Sequence, residues 1–202
     1  MSISKDMQWL AQEGIKPGQE RVELEWLCRK VKALQCNCMV EIGSRFGGSL
    51  YLLAQQCMPG ATIVSVDVQG FSWGKSKSAS KLQFVISKLN EMGFHAHWVN
   101  GLSGDPDVVL KVRELTGNNV DFLFIDGDHR FEYVMQDWDN YRGMVKENGM
   151  IGFHDIAFDP RETPWGKKGV SRLWEILKPA YRSEAIILSL MGIGILYKGD
   201  KC

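Results

Sequence analysis

The residues best suited to chemistry lie in two polar clusters, each placed directly after an apolar stretch of the 202-residue chain. One cluster runs from Asp126 to His129 and follows the stretch Val120–Ile125. The other is the pair His154 and Asp155. An imidazole titrates near neutral pH and can take up a proton, and two carboxylates with an imidazole could bind a metal ion. The two clusters therefore contain the candidate proton acceptors and metal ligands of the protein.

A third chemical feature is the glycine-bearing stretch EIGSRFGGS, residues 41–49. Glycines at the end of a first strand let the backbone approach a ligand closely. A dinucleotide fingerprint, Gly-x-Gly-x-x-Gly, would need a glycine where this chain has Arg45, and a Walker A loop would end in Gly-Lys-Ser/Thr. Because neither pattern is present, the turn is not predicted to be a phosphate cradle.

Asp67 ends the next apolar stretch along the chain, Thr62–Asp67. A carboxylate at the end of such a strand can accept hydrogen bonds from both hydroxyls of a ribose. The alternative is that Asp67 is a solubilising charge at a strand end. Since Glu41 occupies a similar place near the end of the preceding strand, we favour the ribose-binding interpretation.

Strand-sized apolar runs alternate with segments of helical periodicity along most of the chain. The runs are Met39–Ile42, Thr62–Asp67, His97–Asn100, Val120–Ile125 and Met150–His154. Because parallel neighbouring strands need crossover connections, this alternation predicts a parallel sheet with helices on both faces.

Two further runs near the C-terminus, Ala185–Leu190 and Gly194–Tyr197, are separated only by Met191–Ile193. So short a connection predicts an antiparallel hairpin. The predicted fold class is therefore α/β, with a doubly wound, Rossmann-like and mostly parallel sheet of about seven strands that ends in a C-terminal antiparallel hairpin.

Composition limits the partners and the compartment. Lys plus Arg number 24, and Asp plus Glu also number 24, so there is no electrostatic reason to expect a nucleic acid or an anionic membrane as partner. The five scattered cysteines are typical of a reducing compartment, and no N-terminal apolar run has signal-peptide length, so we predict a cytoplasmic protein.

The length predicts one domain over residues 1–202, with an N-terminal helical segment at 1–37 and a core at 38–198. The residues Leu24, Leu27, Cys28, Val31 and Leu34 predict a leading amphipathic helix. An exposed Leu/Trp face on this helix would indicate a homodimer.

Two motifs together resemble a known enzyme family. An acidic residue followed by x-Gly-x-x-x-Gly-x-Ser, here Glu41 to Ser49, resembles motif I of the class I S-adenosylmethionine-dependent methyltransferases. The block from Val120 to Ile156 resembles the small methyltransferase family that includes the macrolide-sugar O-methyltransferases and the cephalosporin-hydroxylase-like proteins. It is more distantly similar to the catechol O-methyltransferases. The resemblance covers about residues 38–198.

The resemblance implies S-adenosylmethionine as cofactor and a hydroxyl of a small molecule or sugar as methyl acceptor. Glu41 would lie near the methionine portion of the cofactor, because an anionic pocket suits a ligand bearing ammonium and sulfonium groups. Ser103 would contact the adenine, although Ser103 or Asp105 could equally cap the helix that begins near Pro106. The full set of implied cofactor-binding residues is Glu41, Gly43, Ser44, Gly47, Ser49, Asp67, Ser103 and Asp126.

For catalysis, the resemblance implies that His129 is the general base, with Asp126 acting beside it. The alternative is that His129 caps the following helix or packs in the loop. Asp126, His154 and Asp155 match the positions that hold a divalent cation in the metal-dependent members. A histidine at 154 departs from the usual acidic or amide ligand, and Mg²⁺ prefers oxygen. Either a softer ion is bound, or His154 has a substrate-contacting or supporting role, or the site holds no metal.

Two other functions are open at this stage. A nicotinamide-dependent oxidoreductase could use the same architecture, although Arg45 in the turn argues against it. A cofactor-binding protein without catalysis would keep the fold and would not need His129. Two stretches beside the functional edge, Gly70–Ser80 and Asp159–Gly169, could be lids over a site or ordinary surface loops.

Overall fold

The computed structural model of the protein describes residues 3–68, 77–157 and 168–199. Most of the two predicted loops, Gly70–Ser80 and Asp159–Gly169, lies outside these described residues. All the candidate site residues named above lie inside them.

The helices of the described residues are α1 (Ile3–Gln12), α2 (Arg21–Leu34), α3 (Gly48–Ala54), α4 (Lys77–Glu91), α5 (Pro106–Thr116), α6 (Phe131–Tyr141) and α7 (Lys168–Leu177). The predicted N-terminal helical segment, residues 1–37, contains α1 and α2, although the sequence analysis gave α1 no bounds of its own. The sequence analysis assigned Lys77–Ser80 and Lys168–Gly169 to the ends of two loops, and this was wrong, because these residues begin α4 and α7. Polar residues misled the prediction, since they are also tolerated in the first turn of a helix. Within the part of the chain that the structure describes, no helix has both the length and the apolar character needed to cross a bilayer.

The strands form one seven-stranded sheet with the order β3-β2-β1-β4-β5-β7-β6. They are β1 (Cys38–Ile42), β2 (Thr62–Asp67), β3 (His95–Asn100), β4 (Val120–Ile125), β5 (Val145–His154), β6 (Arg182–Ile186) and β7 (Ile193–Tyr197). The first five strands are mutually parallel, and β7 is antiparallel to both β5 and β6. The predicted Rossmann-like sheet with a C-terminal antiparallel hairpin is thereby confirmed.

The first strand of the last hairpin begins and ends earlier in the sequence than predicted. β6 ends at Ile186, whereas the sequence placed that strand at Ala185–Leu190. Leu188 and Leu190 are apolar but exposed, and they belong to the connection before β7. Hydrophobicity alone thus extended the predicted strand into a loop.

Apolar side chains cover both faces of the central strands. In β4, Phe122 and Phe124 point to the face covered by α1 to α4, while Leu123 and Ile125 point to the face covered by α5 to α7. This follows from the two-residue period of a strand. Because both faces are dry, the polar residues of the central strands are left to the strand ends, and the ends that carry the candidate site are the carboxyl ends.

The apolar face of α2 is part of the core. Leu24, Leu27, Cys28 and Val31 are buried beneath the sheet-facing side of the helix. Leu24 and Leu27 of the leading helix are therefore core residues, and Trp26 is partly buried against the same core, so α2 gives no support to the homodimer.

Candidate active site

The carboxyl ends of β1, β2 and β4 bring the candidate residues of three separate chain segments together. The N–H of Gly43 donates to the carbonyl of Val66 at 2.9 Å, and the N–H of Asp126 donates to the carbonyl of Ile42 at 2.9 Å. These bonds continue the parallel pairing one residue beyond the strands. The turn after β1 is consequently fixed between the ends of its two neighbours.

Gly43 is the residue on which this close approach depends. Its backbone has φ +87°, a left-handed conformation that glycine adopts at no steric cost. A Cβ atom at Gly43 would lie 2.2 Å from the carbonyl oxygen of Asp126. The contact between the turn and the end of β4 therefore requires a residue without a side chain.

We predict that Gly43→Ala lowers the free energy of unfolding more than a glycine substitution with the same backbone problem and no collision. Gly60 supplies that control, because its φ is +77° and nothing lies within 4 Å of its virtual Cβ. Gly60→Ala should cost about 1–2 kcal/mol, and Gly43→Ala about 1–3 kcal/mol more because the added methyl overpacks the turn. Urea unfolding of both variants measures the difference. Equal losses would show that the Gly43–Asp126 contact imposes no constraint.

The turn holds Asp67 through the main chain. Arg45 has φ +51°, and its N–H donates to Oδ2 of Asp67 at 2.7 Å. The Arg45 guanidinium itself lies over the ring of Phe46, 4.8 Å from the ring centroid. Burial raises the pKa of Asp67, and the hydrogen bonds from the N–H groups of Arg45 and Val68 oppose that rise. The Asp67 carboxylate is thus positioned beside the glycine turn.

Glu41 is a fully buried carboxylate, with 0% of its surface exposed. Neither carboxylate oxygen has a partner at hydrogen-bond geometry. Burial raises its pKa to about 7; the nearby hydroxyls of Ser44 and Ser49 oppose the rise, and the charges of Asp126 and Asp67 add to it. An uncompensated buried acid of this kind is costly unless a cation or a donor satisfies it.

The remaining residues of the glycine turn begin α3. Gly47, with φ +81°, precedes the helix, and a Cβ atom there would press on the side chain of Val85 at 3.0 Å. Ser44 and Ser49 are both buried, and the hydroxyl of Ser65 in β2 donates to the hydroxyl of Ser44 at 2.8 Å. The two serine side chains therefore lie inside the turn beside Glu41.

Two carboxylates and two imidazoles meet at the ends of β4 and β5. His154 Nδ1 lies 3.1 Å from Oδ1 of Asp126 and 3.1 Å from Oδ2 of Asp155. His129 contacts the same two acids, with Nδ1 3.2 Å from Oδ2 of Asp155 and Nε2 3.5 Å from Oδ1 of Asp126. We call these four residues the polar cluster. It places the predicted base and the predicted metal ligands in one group.

The charges of the polar cluster stabilise one another. Burial opposes the charge of His154, but Asp126 and Asp155 outweigh it and raise its pKa to about 10. The same two acids raise the pKa of His129 against the effect of burial. Burial would raise the pKa of Asp126, yet the two imidazoles hold it well below its ordinary range. The Asp126 carboxylate is therefore held ionised beside the two imidazoles.

Backbone conformation directs Asp155 into the cluster. β5 ends at His154, and Asp155 then has φ +61°. Aspartate tolerates this left-handed region better than most residues. The conformation lets two consecutive side chains at a strand end reach the same cluster, although successive side chains of a strand point to opposite faces.

A family model described as a methyltransferase domain matches residues 40–156, more than half of the chain. The chain belongs to this methyltransferase family. The resemblance carried by Glu41–Ser49 and Val120–Ile156 is thus confirmed, and the nicotinamide alternative is not favoured. The chain is also 29% identical over 134 residues to the uncharacterized protein R132 of Acanthamoeba polyphaga mimivirus, across 66% of its length. The chain spans 58% of the length of that relative.

Solved structures similar to the methyltransferase include the O-methyltransferase of Bacillus cereus in complex with S-adenosylhomocysteine. The TM-score is 0.69 at 16% identity, and the match covers 97% of this chain and 90% of the other. TomG, the O-methyltransferase of Streptomyces achromogenes involved in tomaymycin synthesis and solved with S-adenosylmethionine, gives 0.67 at 16% identity over 98% and 89%. The S-adenosylhomocysteine-bound methyltransferase PaMTH1 of Podospora anserina gives 0.65 at 15% identity over 97% and 87%. At these identities the likeness is one of fold.

Ser103 of the methyltransferase is not a helix cap. Asp105 has that role, because its Oδ1 accepts a hydrogen bond from the N–H of Asp107 at 2.9 Å at the start of α5. The Ser103 hydroxyl donates a hydrogen bond to the buried carboxylate of Asp137. Burial raises the pKa of this carboxyl group to about 7. The Ser103 carbonyl accepts from the hydroxyl of Tyr141 at 2.8 Å. A hydroxyl oriented by Asp137 can still accept a hydrogen bond from a ligand.

The donor set of the polar cluster fits a divalent cation. Asp126, His154 and Asp155 each offer one ligand atom, and these atoms lie within 4.8 Å of one another. The other ring nitrogen of His154, Nε2, is buried without a hydrogen-bond partner. Two carboxylate oxygens and one imidazole nitrogen suit a transition-metal ion such as Mn²⁺ or Fe²⁺ better than Mg²⁺, because these ions accept imidazole nitrogen more readily.

Two residues at the site were missed by sequence reasoning. Gln19, just before α2, donates from Nε2 to Oδ2 of Asp126. Asp137 lies on α6 beside the buried apolar residues Val134 and Trp138, on the side of the helix where hydrophobic periodicity predicts core. Neither residue belongs to a motif, and only the folded chain places them beside the strand ends.

Proposed function

We propose that this methyltransferase transfers a methyl group from S-adenosylmethionine to a hydroxyl of a small molecule or sugar, with a divalent cation held by Asp126, His154 and Asp155. The observation that carries the proposal is that two different kinds of site share one edge of the sheet. The acids Glu41 and Asp67 flank the glycine turn, and the polar cluster with His129 lies directly behind that turn.

The cofactor proposal rests on how well the chain's residues fit the ligand. Glu41 supplies a buried carboxylate without a hydrogen-bond partner, which suits the ammonium and sulfonium charges of the methionine portion. Gly43 lets the glycine turn lie against the end of β4. Asp67 ends β2, where a ribose would be held. We further propose that Ser44, Gly47 and Ser49 line the methionine end of the cofactor and that Ser103 and Asp126 line the rest.

We predict that Asp67→Asn weakens S-adenosylhomocysteine binding by about 10- to 100-fold, because two charge-assisted hydrogen bonds to the ribose become weaker neutral ones. An asparagine at 67 can still accept the hydrogen bond from the N–H of Arg45, so the turn should keep its shape. Isothermal titration calorimetry measures the dissociation constant. Asp139→Asn, at an exposed position of α6, is the matched control and should bind like the unsubstituted chain. An Asp67→Asn affinity within threefold of the unsubstituted chain would remove Asp67 from the cofactor site.

For catalysis we assign His129 the role of proton acceptor. Its Nδ1 has the shorter contact, to Asp155, and its Nε2 has the longer contact of 3.5 Å to Asp126. Nε2 is therefore the nitrogen more easily turned toward an acceptor hydroxyl, while Asp155 fixes the ring and stabilises the imidazolium that forms. A bound divalent cation lowers the pKa of a coordinated hydroxyl.

Positioning is the other contribution of the chain to an in-line methyl transfer. The glycine turn and Asp67 fix one side of the cleft, and the polar cluster fixes the other. The parallel strands beneath them connect the two sides, because β1 pairs with both β2 and β4.

Support for oxygen as the acceptor atom comes from two neighbours in fold, the O-methyltransferases of Bacillus cereus and Streptomyces achromogenes. The chemistry of the polar cluster agrees with it, because a hydroxyl must lose a proton as it attacks the methyl carbon. An amine acceptor would place less demand on a base held between two carboxylates.

The test is an assay of S-adenosylhomocysteine formation with S-adenosylmethionine, Mn²⁺ and a panel of catechol-like and sugar hydroxyl compounds. Each acceptor is paired with its O-methylated form, in which the reacting hydroxyl is blocked. We expect product formation with at least one free hydroxyl and none with its blocked partner. Equal turnover with blocked acceptors, or turnover only with amines, would contradict the proposed O-methyl transfer.

A further inference from the structure

Most of the segment between α1 and α2, residues Gly14–Glu20, crosses the carboxyl-terminal edge of the sheet. We call it the N-terminal strap. At its start, the carbonyl of Gly14 accepts a hydrogen bond from Nζ of Lys81 in α4. Pro17 then packs against Gly48, where a Cβ atom would lie 2.7 Å from the Pro17 nitrogen. The strap therefore lies on the glycine turn that follows β1.

Beyond Pro17, the strap and the start of α2 continue across the same edge. Gln19 reaches Asp126 at the end of β4. In the first turn of α2, the buried Oε1 of Glu23 accepts hydrogen bonds from the N–H of Leu188 at 2.8 Å and of Ser189 at 3.0 Å, in the connection between β6 and β7. The order of these contacts along the chain follows the order β1, β4, β7 across the sheet. The strap thus spans the proposed cofactor side of the cleft and the polar cluster.

Gln19 and the two imidazoles contact different oxygens of Asp126. Its Nε2 donates to Oδ2, while Oδ1 faces the imidazoles of His154 and His129 at 3.1 and 3.5 Å. A carboxylate whose second oxygen is engaged in this way cannot rotate freely about its Cβ–Cγ bond. Gln19 therefore fixes which oxygen of Asp126 faces the polar cluster.

A purely structural role does not explain Gln19. The residue is 9% exposed, and its amide oxygen Oε1 is buried without a hydrogen-bond partner. Burying an amide with one end unsatisfied is costly. The side chain gains no partner other than Asp126 among its described contacts, so its placement serves Asp126 rather than the packing of the strap.

We propose that Gln19 is a positioning residue for divalent-cation binding, acting from the N-terminal strap through Asp126. The inference rests on the proposed function, because it assigns the cation to Asp126, His154 and Asp155. Outer hydrogen bonds of this kind orient the ligating carboxylate and commonly contribute 10- to 100-fold to metal affinity. The N-terminal strap contains no recognisable sequence motif, but on this proposal it is part of the active site.

The experiment measures Mn²⁺ binding to the full chain with S-adenosylhomocysteine present, from the electron paramagnetic resonance signal of free Mn²⁺. Gln19→Met keeps the side-chain length and removes both polar atoms of the amide. We expect its Mn²⁺ dissociation constant to rise about 10- to 100-fold, with S-adenosylhomocysteine affinity within threefold of the unsubstituted chain. Gln12→Met, at the exposed end of α1, is the matched control and should bind Mn²⁺ normally.

A second comparison separates positioning from a general effect on the fold. In an Asp126→Asn background, Gln19→Met should weaken Mn²⁺ binding no further, because Gln19 acts only through the Asp126 carboxylate. Gln19→Asn replaces Gln19→Met if circular dichroism shows that the methionine variant does not fold. The inference is overturned if a folded Gln19 variant binds Mn²⁺ as the unsubstituted chain does, or if the two substitutions weaken binding additively. It is also overturned if the unsubstituted chain binds S-adenosylhomocysteine but no Mn²⁺. That result would not contradict the proposed methyl transfer. If the unsubstituted chain binds neither, the proposed function fails as well.

Discussion

Replacing His129 with alanine should lower kcat for methyl transfer by about 100- to 10,000-fold, the usual contribution of a positioned general base. The imidazole lies in the polar cluster between Asp126 and Asp155, where it can take the proton of an acceptor hydroxyl and remain stabilised as a cation. The residue does not belong to the proposed cofactor side of the cleft. S-adenosylhomocysteine affinity should therefore stay within threefold of the unsubstituted chain.

The measurement is single-turnover methyl transfer, with calorimetry as the check on cofactor binding. His95→Ala, at an exposed position of the edge strand β3, is a matched control and should leave kcat unchanged. A His129→Ala variant with kcat within threefold of the unsubstituted chain would assign the proton to another group. If the biological effect of the protein also survived that substitution and Asp126→Asn, a non-catalytic cofactor-binding role would be supported instead.

Replacing Glu41 with glutamine should make the ligand-free protein more stable and bind its cofactor more weakly. The pKa of Glu41 is raised to about 7 in the folded chain by burial, while the unfolded chain ionises near the ordinary value. As pH rises toward 7, the unfolded chain releases the proton that the folded chain still holds, so this residue lowers stability with rising pH. Above pH 7 the loss is complete and amounts to about 3 kcal/mol. Glu41→Gln should restore up to that amount.

The same substitution removes the carboxylate that we propose faces the cofactor's ammonium group. Loss of one partner of a buried charge pair costs about 2–5 kcal/mol, so S-adenosylhomocysteine affinity should fall by at least about 30-fold. In the unsubstituted chain, affinity should rise with pH up to about 7, because binding needs the ionised acid. That pH dependence should be absent in Glu41→Gln.

Urea unfolding at pH 5 and pH 8 and calorimetry at the same pH values measure both effects. Glu13→Gln, an exposed glutamate beyond the end of α1, controls for the loss of a negative charge. Unchanged cofactor affinity together with increased stability would show that Glu41 is a buried acid with no part in binding. A loss of stability at pH 8 would contradict the account of its buried charge.

The alternation of apolar runs and helical segments was sufficient to predict the sheet, because central parallel strands must be apolar on both faces. Glu41, Asp67 and Asp126 could be placed for the same reason. A polar residue in or directly after such a strand has few roles open to it, and parallel strands bring their carboxyl ends to one edge. The polar cluster followed from two strand ends that proved to be neighbours.

Other parts of the site depend on contacts that no local pattern encodes. Gln19 reaches Asp126 from a segment 107 positions away in the chain, and Asp137 lies on the apolar side of a helix where periodicity predicts core. Asp155 enters the cluster through a positive φ that its sequence neighbours do not require. The exposed leucines after β6 misled the strand prediction because hydrophobicity does not distinguish a buried strand from an apolar loop.

The most direct test of the central claim is calorimetric titration of the unsubstituted chain with S-adenosylhomocysteine and, separately, with NADH. The claim is that Glu41 and Asp67 form one side of a cleft for a nucleoside that carries an ammonium group, which S-adenosylhomocysteine shares with S-adenosylmethionine. We expect saturable one-to-one binding of S-adenosylhomocysteine and no heat of binding with NADH. Binding of NADH without binding of S-adenosylhomocysteine would contradict the account.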